Sequence, residues 1–197
     1  FNSIENMFEK LSKIWNEIDF IVHALAYSDK EELKGKYVNC SRENFLNSLD
    51  ISAFSFTRIA KSSFPLMSLK GGSLLTLSYL GAERTTPNYN VMGVAKAALE
   101  TSVKYLSVDL GKNNIRVNAI SAGPMKTIAG AAISGARHVY RYSEKIAPLQ
   151  NNPNLNQVGN AALYLLSDIS SGVTGLTHYV DGGLKIVGIP DQDLVNI

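Results

Sequence analysis

Cysteine is nearly absent from this sequence. Cys40 is the single cysteine in 197 residues, so no disulfide can form within the chain and no group of thiolates can bind a metal. No base or orienting partner marks Cys40 as a nucleophile. A chain of this composition fits a reducing compartment.

Long apolar runs and an excess of one charge are also missing. No stretch approaches the roughly 18 to 20 apolar residues of a membrane-spanning helix, and no signal peptide is visible. The net charge is +2, without the basic stripe of a nucleic-acid-binding protein. Three histidines, His23, His138 and His178, lack metal-ligand spacing, so we expect no metal. The 45% hydrophobic content predicts one globular domain over residues 1–197.

Apolar runs and helical patterns alternate along the chain. Helices are predicted over residues 2–16, 41–65, 89–110 and 158–167, and buried strands over 18–26, 71–79, 115–122 and 176–183. This alternation predicts an α/β fold, with a doubly wound parallel sheet of Rossmann type and helices on both faces. The long segment 125–155 is predicted to be a mobile lid.

Tyr89 and Lys96 are seven residues apart at the start of one predicted helix, so their side chains share a face. A nearby lysine charge favours the phenolate and strengthens the hydroxyl as a donor to developing negative charge. An ordinary amphipathic helix is the alternative, because this spacing is common by chance. The preceding strand places Tyr79 and Tyr89 at the carboxyl end of the sheet, where open α/β sheets bind ligands.

Several sequence blocks together resemble the short-chain dehydrogenase/reductase family, and within it the bacterial and plastid-type enoyl-acyl-carrier-protein reductases. The blocks are IDFIVHALA, YNVMGVAKAALE, NIRVNAISAGPMKT, YLLSDISSGVTG and HYVDGG. Most of the wider family carries lysine four residues after tyrosine, whereas here Gly93 is four residues after Tyr89 and the lysine comes at seven. The spacing of seven and a second tyrosine ten residues earlier, Tyr79, resemble the enoyl reductases. The resemblance covers about Ser3 to Gly188.

The resemblance implies an activity: reduction of trans-2-enoyl-acyl-carrier protein to acyl-acyl-carrier protein by NADH in fatty-acid elongation, with NADPH left open. Tyr89 would donate a hydrogen bond to the thioester carbonyl, Lys96 would hold the nicotinamide ribose, and Tyr79 would line the pocket, so these three are the implied catalytic residues. Implied cofactor contacts are Leu25, Lys96, Met125, Lys126, Thr127, Ile128 and Ala129. Implied substrate contacts are Ser28, Tyr79, Met92 and Ile133.

The resemblance also implies a partner, an assembly and a location. The partner is the acyl-carrier protein with its enoyl thioester, and the assembly is a homo-oligomer, expected to be a tetramer. The expected location is the bacterial cytoplasm, with a plastid-type organelle as the alternative. If the segment around Arg137, Arg141 and Lys145 is helical, these residues form one basic face that suits an acidic carrier protein. An ordinary solvated face is the competing interpretation.

Two features depart from the family pattern. The amino-terminal strand, glycine-rich turn and helix that cradle the pyrophosphate have no counterpart, so the first strands of the sheet are expected to be missing from this chain. Either residues upstream of Phe1 supply them, or the chain cannot bind the cofactor. Ala136 stands where relatives usually carry a bulky aromatic residue, which leaves the acyl chain length open.

Two other functions stay open at this point. One is a different short-chain dehydrogenase/reductase that acts on a carbonyl substrate, and the other is a non-catalytic scaffold on the same fold. Asp181, in HYVDGG, is expected to be a turn residue and not an acid catalyst.

Overall fold

The computed structural model describes residues 3–127, 130 and 133–195. Its strands are β1 (Phe20–His23), β2 (Gly72–Tyr79), β3 (Ile115–Ala122) and β4 (Thr177–Val180). Its α-helices are α1 (Ser3–Ser12), α2 (Arg42–Leu49), α3 (Ser55–Met67), α4 (Asn90–Gly111), α5 (Ala136–Ile146), α6 (Leu155–Leu166) and α7 (Gln192–Val195). Helical segments and strands alternate from α1 to β4, as the sequence predicts, with two helices between β1 and β2 and two described helices between β3 and β4.

The four strands form one parallel sheet in the order β1-β2-β3-β4. The pairing of β2 with β3 is the longest, from Gly72 opposite Ile115 to Tyr79 opposite Ala122. Because every strand runs the same way, the loops after all four strands meet at one edge of the sheet. The predicted parallel α/β sheet is confirmed.

Helices cover both faces of this sheet. On one face, Leu74 and Val117 pack against Phe56 of α3 and Leu99 of α4. On the other face, strand residues that include Leu75 and Ile120 pack against Val158 and Leu165 of α6. Neighbouring residues of a strand point to opposite faces, so each central strand contributes to two cores. The prediction of a doubly wound sheet is therefore confirmed.

The first strand differs from its prediction as a buried strand. In β1, Phe20 is 53% exposed and Val22 is 45% exposed, whereas His23 is buried. Among the described residues, β1 pairs with β2 alone, so it is an edge strand and part of its apolar surface has no covering element. The prediction that further strands precede β1 stays a prediction.

Two helix boundaries also differ from their predictions. The first helix ends at Ser12 rather than at residue 16, and Ile14 and Trp15, beyond its end, are 73% and 53% exposed. The second predicted helix is divided into α2 and α3 by a π-helical turn over Asp50–Phe54. It continues past Pro65 to Met67, because a proline in the last turn removes only one hydrogen bond.

Polar caps mark the starts of two helices. The Ser41 hydroxyl accepts a hydrogen bond from the Asn44 amide at the start of α2. Asn154 and Gln157 form a capping box at the start of α6, which therefore begins at Leu155, three residues before its predicted start. Within the described part of the chain, no helix is long and apolar enough to cross a membrane.

Candidate active site

Tyr79 and Tyr89 lie together at the carboxyl edge of the sheet. Tyr79 is the last residue of β2, and Tyr89 immediately precedes α4 with helical backbone angles, φ −84° and ψ −28°. Their rings meet edge to face, with 4.9 Å between ring centroids, and Tyr89 is 7% exposed. The two tyrosines expected from the sequence are thus in direct contact.

Two glycines make room for the Tyr89 ring. A Cβ atom at Gly81 would overlap the ring of Tyr89, and one at Gly93 would lie 2.8 Å from the carbonyl oxygen of Gly81. The chain after β2 can therefore lie directly against the first turn of α4. A side chain at either position would push the two segments apart.

Tyr89 stands between two asparagines in left-handed backbone. Asn88 has φ 60° and Asn90 has φ 43°, and asparagine adopts this region more readily than most residues. The Asn90 side chain donates to the carbonyl oxygens of Glu32 and Gly35, both at 3.3 Å. This residue therefore attaches the loop after β1 to the start of α4.

Lys96 is buried two turns into α4, with 6% of its surface exposed. Its Nζ donates to the carbonyl oxygen of Leu77, in β2, at 2.7 Å. Burial lowers the pKa of Lys96 to about 8, and the Glu100 carboxylate acts in the opposite direction. The lysine is thus held against the strand that ends in Tyr79.

The direction of the pKa shift of Tyr89 differs from the prediction. Burial raises the pKa of Tyr89 well above its usual range, and Tyr79 and Glu100 raise it further. The expectation that Lys96 favours the phenolate is therefore wrong, because loss of water contact disfavours the charged form. Tyr89 is a neutral phenol, which can still donate a hydrogen bond.

The predicted substrate residues fall into two groups. Met92 and Ile133 pack in one apolar cluster with Tyr79, Tyr89 and Leu33, so the structure brings them to the tyrosines. Ser28 instead exchanges hydrogen bonds with the side chain of Asn44 at 3.2 Å. It belongs to the contact between the loop after β1 and α2.

A cavity of about 330 Å³ adjoins Tyr79. It lies between the loop after β2, helix α5 and the segment after β4. Its lining includes Thr86, Val139, Tyr142, Ile146 and Leu184. Burial raises the pKa of Tyr79, whereas a hydrogen bond with the Thr86 side chain lowers it. The arrangement combines a largely apolar cavity with a phenol at its wall, which suits a ligand with an aliphatic chain and a carbonyl group.

A family model described as enoyl-(acyl-carrier-protein) reductase matches residues 1–185 of the chain. The chain belongs to this family. Enoyl-[acyl-carrier-protein] reductase [NADH] 1 of Rhizobium meliloti is 53% identical over 195 residues, which cover 99% of this chain and 71% of that protein. The corresponding NADH reductase of Rickettsia typhi is 54% identical over 186 residues, covering 94% and 71%.

Solved structures agree with the assignment of the chain to this family. The crystal structure of an enoyl-acyl-carrier-protein reductase from Anaplasma phagocytophilum in complex with NAD is 56% identical, with a TM-score of 0.92, and covers 96% of this chain and 72% of that one. The Bacillus cereus reductase with NADP+ and indole naphthyridinone is 44% identical, with a TM-score of 0.92, and covers 95% and 73%. The resemblance drawn from the sequence is confirmed.

The predicted cofactor residues of the reductase follow β1 and β3 at the same edge of the sheet. Leu25 is 53% exposed, and Met125 packs against the core under α6. The Nζ of Lys126 lies 4.9 Å from the ring centroid of Tyr140, and the Thr127 hydroxyl accepts from the amide of Gly130 at 3.0 Å. Ile128 and Ala129 lie outside the described residues.

Asp181 is a turn residue, as predicted. Its two carboxylate oxygens accept hydrogen bonds from the amides of Gly183 and Lys185, at 2.9 and 2.8 Å. The histidines lie apart: His23 is buried in the sheet, whereas His138 is on α5 and His178 on β4. Among the described residues, no three His, Cys, Asp or Glu side chains come together as a metal site.

Sequence reasoning missed one buried acidic residue of the reductase. Glu100 is 8% exposed, and its Oε1 accepts a hydrogen bond from the Ser78 hydroxyl at 2.5 Å. It follows Lys96 by four residues, which places both side chains on the same helix face. That spacing is the sequence signal that could have identified it.

Proposed function

We propose that this reductase converts trans-2-enoyl-acyl-carrier protein to acyl-acyl-carrier protein in fatty-acid elongation, with NADH as the hydride donor. The observation that carries the proposal is the contact between the half-buried ring of Tyr79 and the buried ring of Tyr89, beside the apolar cavity. The buried ammonium of Lys96, two turns along the same helix, completes the constellation. The names of the relatives support both the substrate and the cofactor.

Tyr89 acts on the thioester carbonyl of the substrate. Hydride addition at the β-carbon places negative charge on the carbonyl oxygen, and a hydrogen bond from the phenol strengthens as that charge develops. Because Tyr89 is neutral and buried, its proton is available to donate and little water competes for it. Tyr79 supports the ring of Tyr89 by edge-to-face packing.

Lys96 fits the ribose of a nicotinamide cofactor. An ammonium group has three N–H donors, and Leu77 accepts from one of them, so two remain to donate to ribose hydroxyl groups. The cofactor supplies the hydride. The exposed positions Leu25 and Lys126, together with Met125, Thr127, Ile128 and Ala129, are proposed to contact it, since they follow two neighbouring strands at the same edge.

The acyl chain is proposed to enter the cavity beside Tyr79. Met92 and Ile133 provide apolar surface next to the tyrosines, and Ser28 is proposed as a contact from the loop after β1. Ala136 opens α5 with a methyl group, which leaves more space than an aromatic side chain would.

A steady-state assay tests the proposal. The full natural chain is given a crotonyl thioester and NADH, with NADPH as a second arm, and consumption of reduced cofactor is followed by absorbance. Tyr89→Phe should lower kcat by about a hundredfold or more, because one donor to the developing oxyanion is lost. The matched control is Tyr105→Phe, at a residue on α4 that is 72% exposed, which should leave kcat unchanged.

Other outcomes would identify the alternatives. Turnover of a 3-oxoacyl substrate without turnover of the enoyl thioester would indicate a carbonyl reductase. A folded full-length protein that binds neither NADH nor NADPH would indicate a scaffold. Equal activity of Tyr89→Phe and the wild type would remove Tyr89 from the mechanism.

The reductase is also proposed to form a homotetramer in the bacterial cytoplasm. Val108 leaves apolar surface on α4, at 79% exposure, and Leu163 leaves similar surface on α6. Exposed apolar patches are typical of subunit interfaces. Light scattering should give four copies per particle, and Val108→Glu should reduce that number. The bacterial origin of the relatives supports the location.

A further inference from the structure

Glu100 is a buried carboxylate on the helix that carries Lys96. Both residues face the sheet from consecutive turns of α4: Lys96 donates to the carbonyl oxygen of Leu77, and Glu100 accepts from the hydroxyl of the adjacent strand residue, Ser78. Four-residue spacing brings two side chains within about 5–6 Å at their Cβ atoms. Neighbouring residues of β2 thus hold the Lys96 ammonium and the Glu100 carboxylate side by side.

We propose that Glu100 is a positioning residue that keeps the Lys96 ammonium charged and directed at the end of β2. The proposal rests on the proposed function, since Lys96 matters through the ribose that it holds there. Burial removes water from Lys96 and works against its charge. An anionic neighbour fixed by Ser78 supplies a compensating field inside the protein.

A histidine of β1 also interacts with Lys96. His23, on β1, is the titratable group that faces Lys96 from the sheet, and Lys96 helps to lower the pKa of His23. A neutral histidine adds no charge of its own. Glu100 is therefore the acidic group that acts on Lys96, and its negative charge raises the pKa of the lysine.

The surroundings of Glu100 raise its pKa above the ordinary value, although some neighbours act in the opposite direction. Burial and the nearby carboxylate of Glu83 raise its pKa, whereas the Ser78 hydrogen bond, Lys185 and Lys104 lower it. Tyr179, on β4, lies close enough for Glu100 to raise the pKa of its phenol. The Ser78 hydroxyl and two lysines favour the ionised carboxylate that the proposal requires.

The test measures the charge of Lys96 directly in the full natural chain without cofactor. Lysine labelled with ¹³C at the ε position is titrated by NMR, and Lys96→Arg assigns the signal. The wild-type midpoint should lie near pH 8. Glu100→Gln should lower it by at least about half a pH unit, which is the effect of one charge at about 6 Å even under water-like screening.

A matched control removes a negative charge elsewhere on the same helix. Asp109 is exposed and lies thirteen residues beyond Lys96, or about 20 Å along the helix, so Asp109→Asn should leave the midpoint unchanged. An unchanged midpoint in Glu100→Gln, or an equal shift in both variants, would overturn the proposal. Glu100→Asp retains the charge and should restore most of the wild-type midpoint.

If Glu100→Gln does not fold, the reciprocal variant decides the question. Coupling between two sites is equal in both directions, so Lys96→Met should raise the midpoint of the Glu100 carboxyl carbon by the same amount. No change in that midpoint would overturn the proposal. The two variants therefore test one interaction from opposite ends.

The pH profile of activity connects the coupling to function. In Glu100→Gln, the alkaline limb of kcat/KM should move to lower pH together with the NMR midpoint. A shifted midpoint with an unmoved limb would overturn the role of Glu100 in catalysis. Absence of turnover in the wild type would remove the proposed function, whereas the NMR titration would still decide whether Glu100 holds the charge of Lys96.

Discussion

The rings of Tyr79 and Tyr89 meet edge to face, with centroids 4.9 Å apart and planes inclined by 66°. Tyr89 follows Tyr79 by ten positions in the chain, and the 3-10 turn Leu80–Ala82 begins the connection. Gly81, in the middle of that turn, lies against the Tyr89 ring. The position of the Tyr89 phenol therefore depends on the absence of a side chain at Gly81.

Gly81→Ala should displace Tyr89 without unfolding the protein. The new methyl group would overlap the ring, and a shift of about 1 Å at a reacting group lowers kcat by about a hundredfold. The measurement is kcat with a crotonyl thioester, together with circular dichroism as a check of the fold. Gly159→Ala is the control, since a Cβ atom there meets nothing within 4 Å. Full activity of Gly81→Ala would contradict this account of the Tyr89 position.

His23 should make the protein sensitive to acid. Its two ring nitrogens are hydrogen-bonded to the hydroxyl groups of Thr76 and Ser55, both at 2.8 Å. Burial and then Lys96 lower its pKa to about 4, below the unfolded value of about 6.5. The folded state therefore binds the proton less readily, so stability is present above pH 6.5 and decreases as the pH falls toward 4.

The size of this loss is about 3 kcal/mol, from a pKa difference of about 2.5. Urea denaturation at a series of pH values measures it. The stability difference between wild type and His23→Gln should shrink by that amount between pH 6.5 and 4. His138→Gln, at an exposed residue, should follow the wild-type curve. Parallel curves for His23→Gln and the wild type would show that His23 is not the acid-sensitive group.

Arg116 should stabilise the end of α6. Its guanidinium donates to the carbonyl oxygens of Leu165 and Ser167, at 2.7 and 3.1 Å, and to the Ser170 hydroxyl at 2.8 Å. Arg116→Met removes these donors from the last carbonyl groups of the helix, so the free energy of unfolding should fall by about 2 kcal/mol. Arg42→Met, at an exposed residue of α2, should change it by less than about 0.5 kcal/mol. Equal effects would contradict the assigned role.

The exposed arginines of α5 should help to bind the acyl-carrier protein. Arg137 and Arg141 lie one turn apart on this helix, which borders the cavity beside Tyr79. Reversing both to Glu should raise KM for a carrier-bound substrate by at least about tenfold, because like charges would meet an acidic partner. KM for a coenzyme A thioester should stay unchanged. The control is Lys112→Glu, at the far end of α4, which should leave KM for both substrates unchanged. An equal increase of KM for both substrates would contradict this role of the arginines.

The parallel sheet and its helices were predictable because apolar spacing differs between strands and helices. The position of Tyr79 and Tyr89 at the carboxyl edge of the sheet was also predictable, since one ends a strand and the other begins the next helix. Sequence spacing could not reveal the solvent exposure of β1, which depends on what lies beside it. Nor could it predict the turn at Asp50–Phe54, where one extra residue enters the helix without any glycine or proline to mark it.

The charge states of the site were the least predictable feature. The separation of Tyr89 and Lys96 suggested that the lysine governs the phenol, but the depth of burial outweighs it. Burial depends on the packing of Leu33, Ile133 and other residues from distant parts of the chain. The role of Glu100 depends on Ser78, which no local pattern connects to the helix.

The eight-residue pairing of β2 with β3 has a consequence for how the molecule opens. The shorter pairings of β1 and β4, four residues each, leave fewer backbone hydrogen bonds to break at the margins of the sheet. Amide protons of β2 and β3 should therefore exchange with deuterium most slowly, because their exposure requires global unfolding. Tyr79 ends the most protected strand, so its position survives local fraying of the outer strands.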